Sequence, residues 1–155
     1  MVWQECKTTG QTPSPRSNCT LHFDAPRNRL LLFGGGGPNK LRYNDVSVLD
    51  WESKEWKTLD SPQGEPAPWE RTYHSAELLY PYLMVFGGEG IADLDDLWAF
   101  HLEKQQWTEL PVDKTQERPC ARRFHASALV GSTLYVIAGC PDKYRCLRDV
   151  YGIDL

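Results

Sequence analysis

No stretch of this chain approaches the ~20 consecutive apolar residues of a membrane-spanning helix. Any Cys-x-x-Cys pair is missing as well, and the five cysteines (Cys6, Cys19, Cys120, Cys140 and Cys146) are odd in number. Neither a disulfide framework nor a zinc site is therefore expected. Residues 1–7 lack the charged and apolar regions of a secretory signal, so reduced thiols in the cytoplasm are expected, with the nucleus as the alternative compartment. Without secretion, the acceptor-like triplet Asn18, Cys19, Thr20 carries no weight. A basic excess is absent too: the net charge is −4, which argues against a nucleic-acid footprint. There is no H-E-x-x-H, no G-x-S-x-G and no phosphate-loop motif. Otherwise the composition is that of an ordinary soluble domain, 41% hydrophobic and 25% charged over 155 residues.

What the chain does have is repetition. The clearest copy runs from Arg71 and His74 through Met84, Val85, Phe86, Gly87 and Gly88 to Asp96 and Trp107. Before it come Arg16, Cys19, Phe33, Gly34, Gly35, Asp45 and Trp56; after it come Arg122, His125, Gly139, Cys140 and Asp149. Gly34 to Gly87 is 53 residues, Gly87 to Gly139 is 52 and Asp45 to Asp96 is 51. A period of about 50 with glycine and tryptophan landmarks marks an array of similar small units.

Each unit reads as β-structure. Residues 30–33, 82–86 and 134–137 are short apolar runs before glycine, the pattern of strands buried on both faces. A more polar strand precedes each, over 18–23, 73–79 and 124–130, and a third follows, opening at Asp45, Asp96 or Asp149. Trp56 and Trp107 mark a fourth. Proline-rich connectors (61–68 and 110–119) link the units as surface loops.

These landmarks resemble the kelch repeat over essentially the whole chain. The resemblance implies an all-β fold of β-propeller blades, each a four-stranded antiparallel sheet. Residues 1–15 are then the fourth strand of an incomplete blade plus a connector, 16–70 the first repeat, 71–121 the second and 122–155 an incomplete third. Three blades do not close a ring, since propellers have about 4–8. Several routes stay open: a homodimer that exchanges its first strand and closes six blades, a piece or shortened form of a longer protein, pairing with another chain, or an open half-propeller.

The glycine doublets stand at strand ends with no helix following, so they read as scaffold and not as phosphate loops. His74 and His125 recur at one repeat position and read as scaffold too. Asp45, Asp96 and Asp149 are expected to accept backbone N–H groups at loop starts. Arg16, Arg71, Arg122 and Arg123 fall where first strands begin, on the same face as the loops between second and third strands. Two roles stay open for them: binding a partner's carboxylates, or pairing within their blades. Lys40, Arg42, Tyr43, Tyr73, Tyr144 and Arg145 complete the candidate partner-binding set. The first and third of those loops are basic and the second acidic (Glu89, Asp93, Asp95, Asp96), so a partner is expected to meet alternating sign.

The resemblance implies a non-catalytic scaffold that binds a protein or peptide on that face, without metal or cofactor. A metal-dependent enzyme is the alternative. Iron-dependent specifier proteins of this type carry a Glu-x-x-x-Asp-x-x-x-His run, and here Glu89 and Asp93 are followed by Leu97 where the imidazole belongs. A substrate-adaptor fragment of a ubiquitin ligase is a further reading the resemblance allows.

Overall fold

Residues 1–113 and 115–155 are described by the computed structural model. Blade 1 holds β1 (Thr9–Gly10), β2 (Thr20–Asp24), β3 (Arg29–Gly36), β4 (Arg42–Asp50) and β5 (Glu55–Leu59), in the spatial order β1-β5-β4-β3-β2. Blade 2 is the meander β6 (Ser75–Leu79), β7 (Tyr82–Glu89), β8 (Asp93–His101) and β9 (Gln106–Glu109). Blade 3 has β10 (Ala126–Val130), β11 (Thr133–Ile137) and β12 (Val150–Asp154). The all-β expectation is borne out, with its strands in the predicted order. Of residues 1–15 only β1 is strand, pairing in parallel with Glu55 and Trp56 of β5 at the outer edge of blade 1. Residues 1–8 belong to no strand, and Trp3 is fully exposed.

The continuous apolar runs have a simple cause. Side chains alternate between the faces of a strand, and a middle blade is covered on both. On β7, Leu83 and Val85 join Leu31, Phe33, Val46, Val48 and Trp107 in the core between blades 1 and 2. Their neighbours Met84 and Phe86 turn the other way, into a second core with Leu134 and Val136 of blade 3. On β8, Trp98 and Phe100 serve the first core while Leu97 and Ala99 serve the second. Burying each large apolar side chain contributes about 1.5–3 kcal/mol. The β6 strand contacts β2 on one side and β10 on the other, which puts the first strands innermost.

At each glycine doublet the ladder slips, between Phe33 and Gly35 and between Phe86 and Gly88. Gly87 and Gly88 sit at φ +58° and +97°. A Cβ on Gly88 would lie 2.7 Å from the Thr72 carbonyl, and one on Gly87 would lie 3.1 Å from the Arg122 carbonyl of the next blade. The first glycine thus lets the following blade approach, and the second lets the blade's own first strand approach. The third copy corrects the alignment by one residue. Ala138 (φ +59°) and Gly139 (φ +91°) take the doublet positions, and Cys140 matches Glu89 in the cross-strand bridge to the residue after the arginine.

The repeated histidines stitch neighbouring blades. His74 Nε2 lies 3.3 Å from Thr20 Oγ1 of blade 1, and its ring meets Phe33 edge-on. His125 Nε2 lies 2.9 Å from Ser75 Oγ of blade 2, with its ring against Phe86. Burial, then the neighbouring Arg71 charge, lowers His74 to a pKa of about 3. Burial, then Arg122, lowers His125 to about 4. Both are neutral when folded and protonate near 6.5 when unfolded, so their contribution is complete above pH 6.5 and is lost as pH falls to about 4 for His125 and about 3 for His74. Between pH 6 and pH 5, unfolding should take up about two protons, a loss of about 2–3 kcal/mol per pH unit. Urea denaturation at pH 7, 6 and 5 measures this; a midpoint that does not move over that range contradicts the buried neutral pair.

Candidate functional site

Arg16, Arg71 and Arg122 each follow a connector and turn their side chains into the blade. Arg71 Nε donates to the Trp69 carbonyl at 3.0 Å, and Nη1 donates to the bulged Gly87 carbonyl at 3.0 Å. Nη1 and Nη2 also grip Asp96 Oδ1 and Oδ2 at 2.7 and 2.8 Å. Arg122 repeats the set with the Cys120 and Ala138 carbonyls and Asp149 at 2.6 and 2.9 Å. Arg16 does so with the Ser14 and Gly34 carbonyls and Asp45 at 2.6 and 3.1 Å. Arg71 and Arg122 are 0% exposed. Of the two roles open to these three arginines, the geometry is that of pairing within the blade, and Arg71 and Arg122 offer no surface to a partner. The aspartates receive guanidinium N–H groups and not the backbone N–H groups expected of them. Burial pushes the Asp96 carboxyl up, but hydrogen bonds from Arg71, the Arg71 charge and Trp98 outweigh it and hold it below the usual range. The Arg122 hydrogen bond does the same for Asp149.

The loops between second and third strands do share a face with the connectors. Arg71 N donates to Tyr43 O at 3.0 Å and Arg122 N to Leu94 O at 3.0 Å, which seats each connector against the preceding blade's loop. On this face Glu89 accepts Arg42 from blade 1 and Arg123 from blade 3, joining three blades through one carboxylate. Asp93 stands 3.5 Å from Arg123, and Asp95 pairs with Arg118 at 2.7 Å. The acidic second loop is therefore consumed internally, which replaces the expected alternation of sign. Lys40, Lys143, Arg145 and Arg148 make no ion pair among the described residues. The exposed charge of these loops is basic.

The remaining candidates are scattered along the face. Tyr43 lies under the Arg16 guanidinium, 4.1 Å from it. Tyr144 and Arg145 stand exposed on a turn that Asp142 Oδ1 holds by accepting both of their backbone N–H groups. Tyr73 meets Phe124 of the next blade at a ring separation of 4.2 Å. Both residues have left-handed backbone, φ +57° and +59°, a cost of order 1–3 kcal/mol each for such side chains. Phe124 is 57% exposed, with Arg123 stacked on its ring. It occupies the Tyr73 position one repeat later, a signal that was available. Also missed was Trp69, which lies in a connector and forms a groove of about 530 Å³ with Lys40, Leu41, Arg42, Pro68 and Ile91. Leu41, Trp69 and Ile91 are all exposed there.

Consecutive antiparallel sheets, here of five, four and three strands, that pack face to face through alternating side chains with their first strands innermost define blades of a β-propeller. The Gly-Gly bulge, the buried arginine and the strand-four tryptophan narrow the class further. The family model for the KLHDC2/KLHL20/DRC7 Kelch-repeats domain matches residues 1–155, and the chain belongs to that family. It is 34% identical over its whole length to Adagio-like protein 1 of Oryza sativa subsp. japonica, covering 24% of that protein. It is 29% identical to Multiple epidermal growth factor-like domains protein 8 of Mus musculus, with 88% of this chain and 6% of that protein aligned. Against the Leucine-zipper-like transcriptional regulator 1 homolog of Drosophila melanogaster it is 24% identical, over 96% of this chain and 16% of that protein. The chain thus spans between 6% and 24% of these curated relatives.

Removing one member of the Arg71–Asp96 clasp leaves a buried charge without its partner. Arg71→Ala and Asp96→Ala should each lower stability by about 3–5 kcal/mol. Arg145→Ala, on an exposed turn, should stay within about 0.5 kcal/mol of the parent. Denaturant melts of the three variants give the comparison; equal, small losses throughout would contradict the structural role.

Proposed function

We propose that this chain is a non-catalytic protein-interaction module that takes an acidic peptide segment, with an apolar anchor side chain, on the loop face of its blades. The observation that carries this reading is the groove where Leu41, Trp69 and Ile91 expose apolar surface beside Lys40, which makes no ion pair among the described residues, with Glu70 and the Glu89-bound Arg42 also on its lining. A contiguous apolar surface rimmed by charge marks an interaction site more often than a bare fold surface does. Tyr73, Arg123, Phe124, Tyr144 and Arg145 extend the contact face, with Tyr43 and Arg16 behind it. Lys143, 4.9 Å over the Tyr144 ring, and Arg145 make no ion pair among the described residues, so their charge is left to meet a carboxylate. Kelch repeats typically serve protein–protein interaction, and one relative is named a transcriptional regulator, which agrees with an adaptor role. The reading also includes completion of the ring by a second copy of the chain.

Panning a displayed peptide library against the immobilised protein tests the loop face. Acidic peptides with one bulky apolar residue should be enriched. Trp69→Ala, and Lys40→Glu combined with Arg145→Glu, should each weaken the selected peptides at least about tenfold while leaving the melt unchanged. No enrichment, or enrichment indifferent to both variants, would contradict the reading.

A further inference from the structure

Trp107 shows what a fourth-strand tryptophan does here. Its ring sits 4.9 Å from Phe100, 5.1 Å from Phe33 and 6.4 Å from Trp98, and it is 5% exposed. One repeat later those three neighbours become Ile153, Phe86 and Tyr151. Together with Leu134 and Val136 they line a cavity of about 210 Å³ between blades 2 and 3, whose wall also includes residues 112–113 and 116–119 of the connector. Beside it, β12 pairs with β11 on one edge and with no strand on the other among the described residues. Among the described residues, nothing occupies the tryptophan position of blade 3 or pairs with the second edge of β12.

The same chain carries, outside any strand, a segment of the right pattern. Val2, Trp3, Gln4, Glu5 and Cys6 match Gln106, Trp107, Thr108, Glu109 and Leu110 in the placing of tryptophan before two polar residues and an apolar one. Trp3 is fully exposed, and β1 holds the segment at the outer edge of blade 1.

A second, independent set of residues says what lies against the far face of blade 3. Between blades 1 and 2 the seam consists of Thr20, Gly34 and His74. The histidine bonds the hydroxyl, and a Cβ on Gly34 would stand 2.9 Å from the His74 ring. Between blades 2 and 3 it is Ser75, Gly87 and His125, with the corresponding Cβ at 3.2 Å. On the open side of blade 3 the hydroxyl position is Ala126 and the glycine position is Ala138. There is no hydroxyl for a histidine to bond, and a methyl group occupies the space its ring would need. The histidine position of blade 1 is Cys19, small and without need of a hydroxyl partner. All three departures from the repeat fit one another if blade 1 of another copy follows blade 3. The apolar faces fit as well: Leu21 and Phe23 are 56% and 53% exposed on blade 1, and Val130 and Val150 are 64% and 59% exposed on blade 3.

The geometry points to a reciprocal site for a second copy: Trp3 of one chain fills the Phe86–Tyr151–Ile153 cavity of the other, its strand pairs with β12, and Cys19 faces the other chain's Ala126 and Ala138. The exchange is two-fold symmetric and closes six blades, within the range that propellers use. It deepens the ring-completion part of the proposed function and rests on it, while the loop-face groove does not depend on it.

Light scattering across a concentration series, from below micromolar upward, tests the site. The parent should weigh about twice 17.7 kDa. Trp3→Ala removes only the anchor, and Ala126→Trp only blocks the seam; both alter residues exposed in the single chain, so folding is retained. Each should raise the dimer dissociation constant about a hundredfold. A parent that stays at the single-chain mass, a dimer indifferent to both variants, or open-ended growth into larger assemblies would each overturn the proposal. So would a single chain whose cavity takes a tryptophan-bearing strand of another protein. Peptide panning on the same samples reads the loop face separately, so a lost dimer with retained peptide binding removes the ring and leaves the groove.

Discussion

The clasp between Arg71 and Asp96 is the interaction around which each blade is built. One guanidinium fastens three segments that the chain order separates: the connector through the Trp69 carbonyl, the bulge through the Gly87 carbonyl and the start of β8 through Asp96. None of the three would hold its position alone. A buried arginine is tolerated because four of its donors are satisfied and its charge is met bidentately. Repetition in blades 1 and 3 makes the clasp the period of the molecule. It also explains why these arginines recur without exception while the loop residues around them change.

With each blade fastened, neighbouring blades need only meet. They do so through large apolar side chains alternating on shared strands, and through a narrow seam where a histidine reaches a hydroxyl past a glycine. The glycine is needed because a Cβ there would press on the next blade, and the histidine stays neutral because that space excludes water. Individual character is left to the loop face. There Glu89 locks three blades together and leaves Lys40, Trp69, Phe124 and Arg145 exposed. An array built this way communicates only between neighbours, so its two outer faces keep the chemistry of an interface.

The fold was largely legible because its landmarks are backbone requirements: a left-handed bulge demands glycine, and a blade covered on both sides demands unbroken apolar strands. The partner of each arginine was not. Arg71 and Asp96 lie 25 residues apart across a bulge, and a carboxylate at that distance reads equally well as a loop cap. The alignment slip at Gly139 has a similar origin, since Ala138 looks like strand sequence and only its φ of +59° reveals the doublet position. Trp69 was hidden in a proline-rich connector whose folding over Ile91 no local pattern announces. Phe124 stands two residues after Arg122 as Tyr73 stands two after Arg71, so its place is legible from the repeat, while its exposure is not.

The central claim is that the repeated arginines are interior structure and that binding chemistry lies elsewhere on the loop face. Solvent exchange of the arginine Nε–H protons, followed by nitrogen-15 NMR, tests it most directly. Arg71 and Arg122, each fully buried with Nε bonded to a connector carbonyl, should exchange slowly, while exposed Arg145 exchanges at the rate of a free side chain. Fast exchange at Arg71 and Arg122 would mean the clasp opens to solvent, and the account of both the fold and the site would fail with it.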